Sequence, residues 1–172
     1  MKQAVMISIH PKWCELIASG KKTVEVRKTR PKIDTPFKCY IYETKGKTEI
    51  PTFIDEEGHE IYEGRGQVIG EFVCDYIFNY WSGYAGQSGD DCLSYEEQLC
   101  YLGENVMGYG WHISDLKIYD KPRELSEFAR PCDRPNGFTC FGCKRFIHDH
   151  QLCCDDAIKR PFQSWGYVEL RE

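Results

Sequence analysis

The sequence predicts an α+β fold, a small mixed β-barrel with helices at its sides and a Cys-rich insertion. Three observations carry that expectation. Aromatic and β-branched residues recur in short runs along the whole chain, as in sheet-rich domains. Apolar residues repeat at helical spacing in only two segments of any length. The chain has 172 residues, 41% of them hydrophobic, which supports one sizeable core but not two comfortable ones. Residues 1–172 therefore read as a single domain.

The elements follow in order. "AVMISI" (Ala4 to Ile9) is a short apolar strand. Pro11 then suits a first helical turn, where its missing N–H costs nothing. Trp13, Leu16 and Ile17 share one helix face, and Gly20 suits the position just past the helix end, where φ is often positive. In "KTVEVR", Val24 and Val26 face one side of a strand. Thr23, Glu25 and Arg27 face the other, spaced about 6–7 Å apart. "FKCYIYE" (Phe37 to Glu43) reads as a central strand, and Lys45 to Gly66 as an exposed hairpin or loop insertion. Gln67 to Phe78 reads as one long strand in which Gly70 marks a bulge or close backbone approach. Tyr80 to Asp91 is a Gly/Ser-rich loop. Ser94 and Glu97 have capping-box spacing at the start of a second helix, which Gly103 ends. "YGWHISDLKIYD" reads as a strand whose apolar phase changes near Ser114 and Asp115, as a bulge would produce. "RELSEF" is a short helix, and Gln163 to Leu170 a closing strand. No internal repeat is present.

Charge is unevenly placed. The net charge is -5, so polyanion binding by the whole surface is disfavoured. Yet Lys21 to Lys32 holds six basic residues and one acidic residue, a local sum of +5, leaving -10 for the rest. The first apolar run is too short for a signal-peptide core or a membrane span. The expectation is a cytoplasmic protein whose ten cysteines are thiols or metal ligands rather than a disulfide framework.

"ISIHPKWCELIASGKKTVEVRKTRP" resembles the opening of ASCH domains, relatives of the PUA domain. The family signature Gly-x-Lys-x-x-Glu-x-Arg is met by Gly20, Lys22, Glu25 and Arg27. "GWHISDLKIYD" and "RPFQSWGYVEL" resemble ASCH proteins of phages and bacterial mobile elements. The resemblance implies a PUA-like barrel with a cleft beside the signature strand, taking RNA or a nucleotide-like ligand. Lys22 and Arg27 would meet phosphate or a base edge, since Arg offers a planar fork and Lys a mobile point charge. Glu25 would orient Arg27 or accept from a base amino group. Arg30, with Lys28 and Lys32, would form an attracting rim. Trp111 is the aromatic expected at the ligand, chosen over Trp81, Tyr84 and Trp165. The plain alternative is an ion-paired sheet face of little net energy.

A small hydrolase is the competing class. Some bacterial ASCH proteins are amidohydrolases acting on an acylated cytidine, and they resemble this chain at Lys22. Their nucleophilic threonine corresponds to Glu25 here, and a carboxylate does not replace a hydroxyl one for one. Other members are ribonucleases, for which Lys22 and a hydroxyl such as Ser164 would serve. His10 and His112 are further acid/base candidates. A protein-interaction module is the third class.

Residues 131–160 hold half of the cysteines. Cys140 and Cys143 form a Cys-x-x-Cys pair whose spacing fits two corners of a zinc tetrahedron. Cys132 and Cys153 would complete a structural zinc site, with Cys154, His148 and His150 as alternatives. Free thiols, or a disulfide formed on oxidation, are the competing readings. Cys14, Cys39, Cys74, Cys92 and Cys100 are scattered and read as buried or free.

Overall fold

A computed structural model describes residues 4–47, 53–54, 57–61, 63–81, 90–103, 107–131 and 157–170. The fold is mixed α+β, as the sequence predicts. Its main sheet is a curled six-stranded half-barrel in the order β10-β11-β1-β3-β6-β9. Here β1 is Ala4–Ile9, β3 Phe37–Glu43, β6 Val68–Cys74, β9 Ser114–Arg123, β10 Phe128–Ala129 and β11 Trp165–Leu170. A three-stranded sheet of β2 (Val24–Arg27), β8 (Met107–His112) and β7 (Ile77–Trp81) stands against it. The pair β1–β3 is parallel. The predicted Lys45–Gly66 hairpin appears as β4 (Phe53–Ile54) paired with β5 (Glu60–Ile61).

Period-2 alternation in β1 explains why the main sheet is covered on both faces. Val5, Ile7 and Ile9 enter one core with Cys39, Ile41, Phe72 and Trp111. Ala4 and Met6 enter a second core with Tyr40, Tyr42, Phe128 and Val168. Each such side chain fully removed from water contributes about 1.5–3 kcal/mol. A third, smaller cluster of Val26, Tyr80 and Leu102 fastens helix α2 (Tyr95–Leu102) to the three-stranded sheet.

Both helices start where local chemistry directs. Helix α1 (Pro11–Ala18) has Pro at its first turn and buries Pro11, Cys14 and Ile17. Gly20 lies beyond its end at φ +72°, a conformation disfavoured for residues with a Cβ. In α2 the Ser94–Glu97 capping box is present in both directions. Gly70 is a close approach: a Cβ there would meet the Lys117 carbonyl at 2.5 Å.

Two expectations change and a third is extended. Gln67 to Phe78 is two strands, not one. The chain turns at Asp75 and Tyr76, and β6 and β7 join different sheets. The phase change near Ser114 holds the expected bulge, where the pairing of β9 with β6 shifts register between Val73–Ser114 and Glu71–Lys117, and beside it a crossover. β8 ends at His112 in the small sheet, β9 begins at Ser114 in the large one, and Asp115 has φ 47°. "RELSEF" forms only a single 3-10 turn, Leu125–Glu127. The residues from Cys132 to Cys154, with every expected zinc ligand, lie outside the described residues.

Candidate functional site

The cleft sits where β2 passes between the two helices. Its volume is about 470 Å³. α1 supplies Trp13, and His10 stands at that helix's N-terminal cap. α2 and its approach supply Leu93, Glu97, Cys100 and Tyr101. The floor is Lys22, Val26, Glu25 and Arg27. Lys12 and Glu97 form a 2.8 Å ion pair that joins one helix to the other.

The floor charges are buried, which strand parity alone does not reveal. Lys22, Glu25 and Arg27 are 2%, 6% and 7% exposed. One Glu25 oxygen lies 2.9 Å from Arg27 Nη2, and the other lies 3.4 Å from Lys22 Nζ. Arg27 also donates to the Ser8 carbonyl at 2.7 Å and to Ser164 Oγ at 3.4 Å. Arg27 Nε has no hydrogen-bond partner among the described residues. Lys22 donates to the Asp91 carbonyl at 2.5 Å, and its ammonium lies 5.3 Å from the Trp13 ring centre.

Lys22 precedes the strand, so its place on the floor depends on the turn that holds it. Its N–H donates to the Leu16 carbonyl, while the N–H groups of Thr23 and Val24 donate to Asp90. Asp91 is the residue that sequence reasoning missed. Its buried carboxylate accepts from the Tyr80 hydroxyl at 2.6 Å and from the Leu93 N–H at 2.7 Å. These bonds fix the carbonyl that Lys22 meets. Burial, then the bond to Asp91, raises the Tyr80 pKa and keeps its hydroxyl a donor. Helix α2 is tied to the same approach by Gln98, whose amide donates to the Leu93 carbonyl.

The aromatic expectation is corrected. Trp111 has no exposed surface and packs edge-on against Phe37 in the main core, so no base can stack on it in this conformation. It is the cross-strand partner of Glu25 and shares that residue's face, but its ring packs into the main core. Trp165 is partly buried and donates to Thr29 Oγ1. Trp81 is exposed but does not line the cleft, and Tyr84 lies outside the described residues. The rings at the cleft are instead Trp13 and Tyr101. Arg30 is exposed and lies outside the cleft, lining a smaller neighbouring hollow. His112 is also outside it, 2.6 Å from Asp75 Oδ1 and stacked on Tyr76. Among the described residues no three His, Cys, Asp or Glu side chains group as a metal site, and no helix is long and apolar enough to cross a membrane.

Comparison with known proteins agrees with the signature residues. The ASCH domain pattern matches residues 7–107. The crystal structure of an ASCH protein from Zymomonas mobilis is similar at 22% sequence identity and a TM-score of 0.53. The match covers 71% of this chain and 73% of that one. A mutant of the same Zymomonas mobilis protein aligns at 21% identity and a TM-score of 0.53, over 72% of this chain and 77% of that one. These structural likenesses bear on the fold. No curated protein matches the chain at a significant level.

Proposed function

The chain belongs to the ASCH domain family, which is PUA-like and RNA-binding in general, and on that premise we propose that its cleft binds RNA or a nucleotide-like ligand. The observation that carries this reading is the convergence of three charged side chains, each more than nine-tenths buried, on the floor of one open cleft. Burying an ion costs several kcal/mol even after relaxation, so a surface needing only stability gains little from such a floor. The cleft volume falls within the range of about 300–1,000 Å³ usual for small-ligand sites.

The chemistry suits a nucleotide. Lys22 and Arg27 donate, and Arg27 keeps one donor unused among the described residues. Glu25 accepts, and its oxygens retain lone pairs for a base amino group. Trp13 and Tyr101 offer ring surface on the two walls, where a base gains about 1–3 kcal/mol by stacking.

A hydrolase is the second reading, supported by Ser164 Oγ at 3.4 Å from Arg27 beside the Lys22 cluster. One experiment separates the two. The purified protein is incubated with RNA oligomers and modified nucleosides, and both retention and product are followed. Retention without product, weakened about tenfold or more in Lys22→Met and in the wall variant Trp13→Ala, supports a binding module. Product formation lost in Lys22→Met supports the enzyme. No interaction with either set of molecules removes both readings.

For the Cys-rich segment the spacing of Cys140 and Cys143 supports a structural zinc site, with Cys132 and Cys153 as the remaining ligands. Zinc content measured by mass spectrometry should fall in a Cys140→Ser/Cys143→Ser variant, and unchanged content would sink the site.

A further inference from the structure

We propose that the cleft is the first station of a longer track for single-stranded nucleic acid, which leaves over Lys28, passes Arg30 and ends at Lys32. This rests on nucleotide binding in the cleft and adds where the rest of the strand runs.

The residues that follow β2 carry the inference. Lys28, Arg30 and Lys32 are exposed, while Pro31 between them is buried. Lys28 Nζ lies 5.3 Å from the centre of the Tyr101 ring, and Tyr101 also lines the cleft. Lys28 therefore stands at the cleft rim. Arg30 lies one step further out, its guanidinium 5.7 Å from the Tyr109 ring. Tyr109 is the cross-strand partner of Arg27 on β8, so the floor and the outer cation share one strand pair. Lys32 follows, and Arg30 to Thr35 line a second polar hollow of about 160 Å³. After the floor strand the chain thus carries three exposed cations, two of them set on partly buried rings, and a polar hollow.

The segment is fastened beneath those charges. The Lys32 N–H donates to the Tyr167 hydroxyl at 2.8 Å, and Trp165 Nε1 donates to Thr29 Oγ1 at 3.0 Å. Both anchors belong to β11. Cations held on an anchored backbone lose less freedom on binding than cations on a free loop.

The occupant follows from charge and rings together. Residues 28–34 hold three basic side chains and one acidic one, Asp34, in a chain of net charge -5. A polyanion is drawn to such a local excess over a Debye length of about 8–10 Å. An isolated phosphate would use the cations and leave the rings idle. A strand offers phosphates to the cations and bases to Tyr101, Tyr109 and the Arg30 guanidinium plane. It must be unpaired, because bases stacked inside a duplex present no face to a ring.

Length dependence tests the track. Uridine monophosphate and oligouridylates of two, four and eight residues are titrated into the full chain at two salt concentrations. A duplex RNA and phosphatidylserine vesicles serve as further probes. The tetramer should bind about tenfold or more tighter than the monophosphate. In Lys28→Ala/Arg30→Ala/Lys32→Ala that ratio should fall toward one. Three phosphates then have no cation to meet, so the slope of log K against log salt for the tetramer should flatten by about 2. All three positions are exposed, so folding is not at stake. If the monophosphate binds as tightly as the tetramer, or the triple variant keeps the full ratio, the track falls and the cleft reading stands. If the duplex binds more tightly than the single strand, or only the vesicles are bound, the patch serves another partner and the proposal is overturned. If no nucleotide of any length binds, the cleft reading falls with it.

Discussion

Two ion-paired carboxylates on different strands behave differently. Glu25 is shared between Arg27 and Lys22, all three side chains at most 8% exposed. Glu71 is shared between Lys38 at 2.8 Å and the Tyr119 hydroxyl at 2.6 Å, but the Lys38 side chain is 46% exposed and that of Glu71 21%. The distances are similar, and the surroundings are not. Water screens the outer cluster, so its charges stabilise the fold weakly. The inner cluster is desolvated before any ligand arrives, and its donors are already aimed. Burial, rather than charge count, makes one cluster a candidate site and the other a solvated face.

The contrast is tested most severely at Glu25. Glu25→Ala leaves two buried cations without their carboxylate, so urea denaturation at neutral pH should show a loss of about 3–5 kcal/mol. A loss under about 1 kcal/mol would mean that the floor is wet and the contrast false. Glu25→Gln keeps the shape and one acceptor and should lose less. Next comes the wall. Ser94→Ala removes the cap of α2 and should cost about 1 kcal/mol in the same assay. It should also weaken nucleotide binding, because Leu93, Glu97 and Tyr101 are positioned by that helix.

The outer cluster should give the smallest effects. Lys38→Ala should cost no more than about 1 kcal/mol, and less at high salt. A larger, salt-independent loss would place Lys38 in the same class as the floor. Acid probes the same difference. Burial pushes the Glu71 carboxyl up, but hydrogen bonds from Lys38 and Tyr119 outweigh it and hold the pKa below 4.5. A lowered carboxylate pKa means stability that is complete above the unfolded value and lost as pH falls through the folded one. The bond from Lys12, then the Ser94 N–H, lowers Glu97 likewise. The difference between Lys38→Ala and wild type should therefore shrink as pH drops below 4.5. A difference that grows there would reverse the sign of the linkage.

What was legible in the sequence was local. Pro11, Gly20 and the Ser94–Glu97 pair each specify a helix end within a few residues, and all three are found where they are expected. Glu25 and Arg27 share the cleft floor as two-residue spacing requires. Lys22 joins them for a reason no window contains: Asp91, 69 positions later, supplies the carbonyl that holds it. Trp111 was misplaced because a strand tryptophan reads the same whether it faces ligand or core. Its cross-strand partner Glu25 reaches the cleft from the same face, and only the packing of Phe37 and the rest of the main core around the ring separates the two. The long runs at Gln67–Phe78 and Tyr109–Asp120 hide their breaks because each half packs against a core, β9 through the half-buried Leu116 and Tyr119. The crossovers at Asp75 and Ile113 are set by which sheet each half completes.

Ligand binding between the helices and over the buried charges is the central property of the molecule to test. The direct measurement is a titration of isotope-labelled protein with oligouridylate, followed by backbone and indole amide resonances. Shifts should concentrate at Trp13, Val26, Leu93, Cys100 and Tyr101, which line the cleft, and continue through Lys28 and Arg30. Resonances of the exposed Asp75–His112 pair and of the Lys38–Glu71 cluster should stay in place. Shifts confined to those outer regions, with the cleft silent at saturation, would contradict binding at the buried charges.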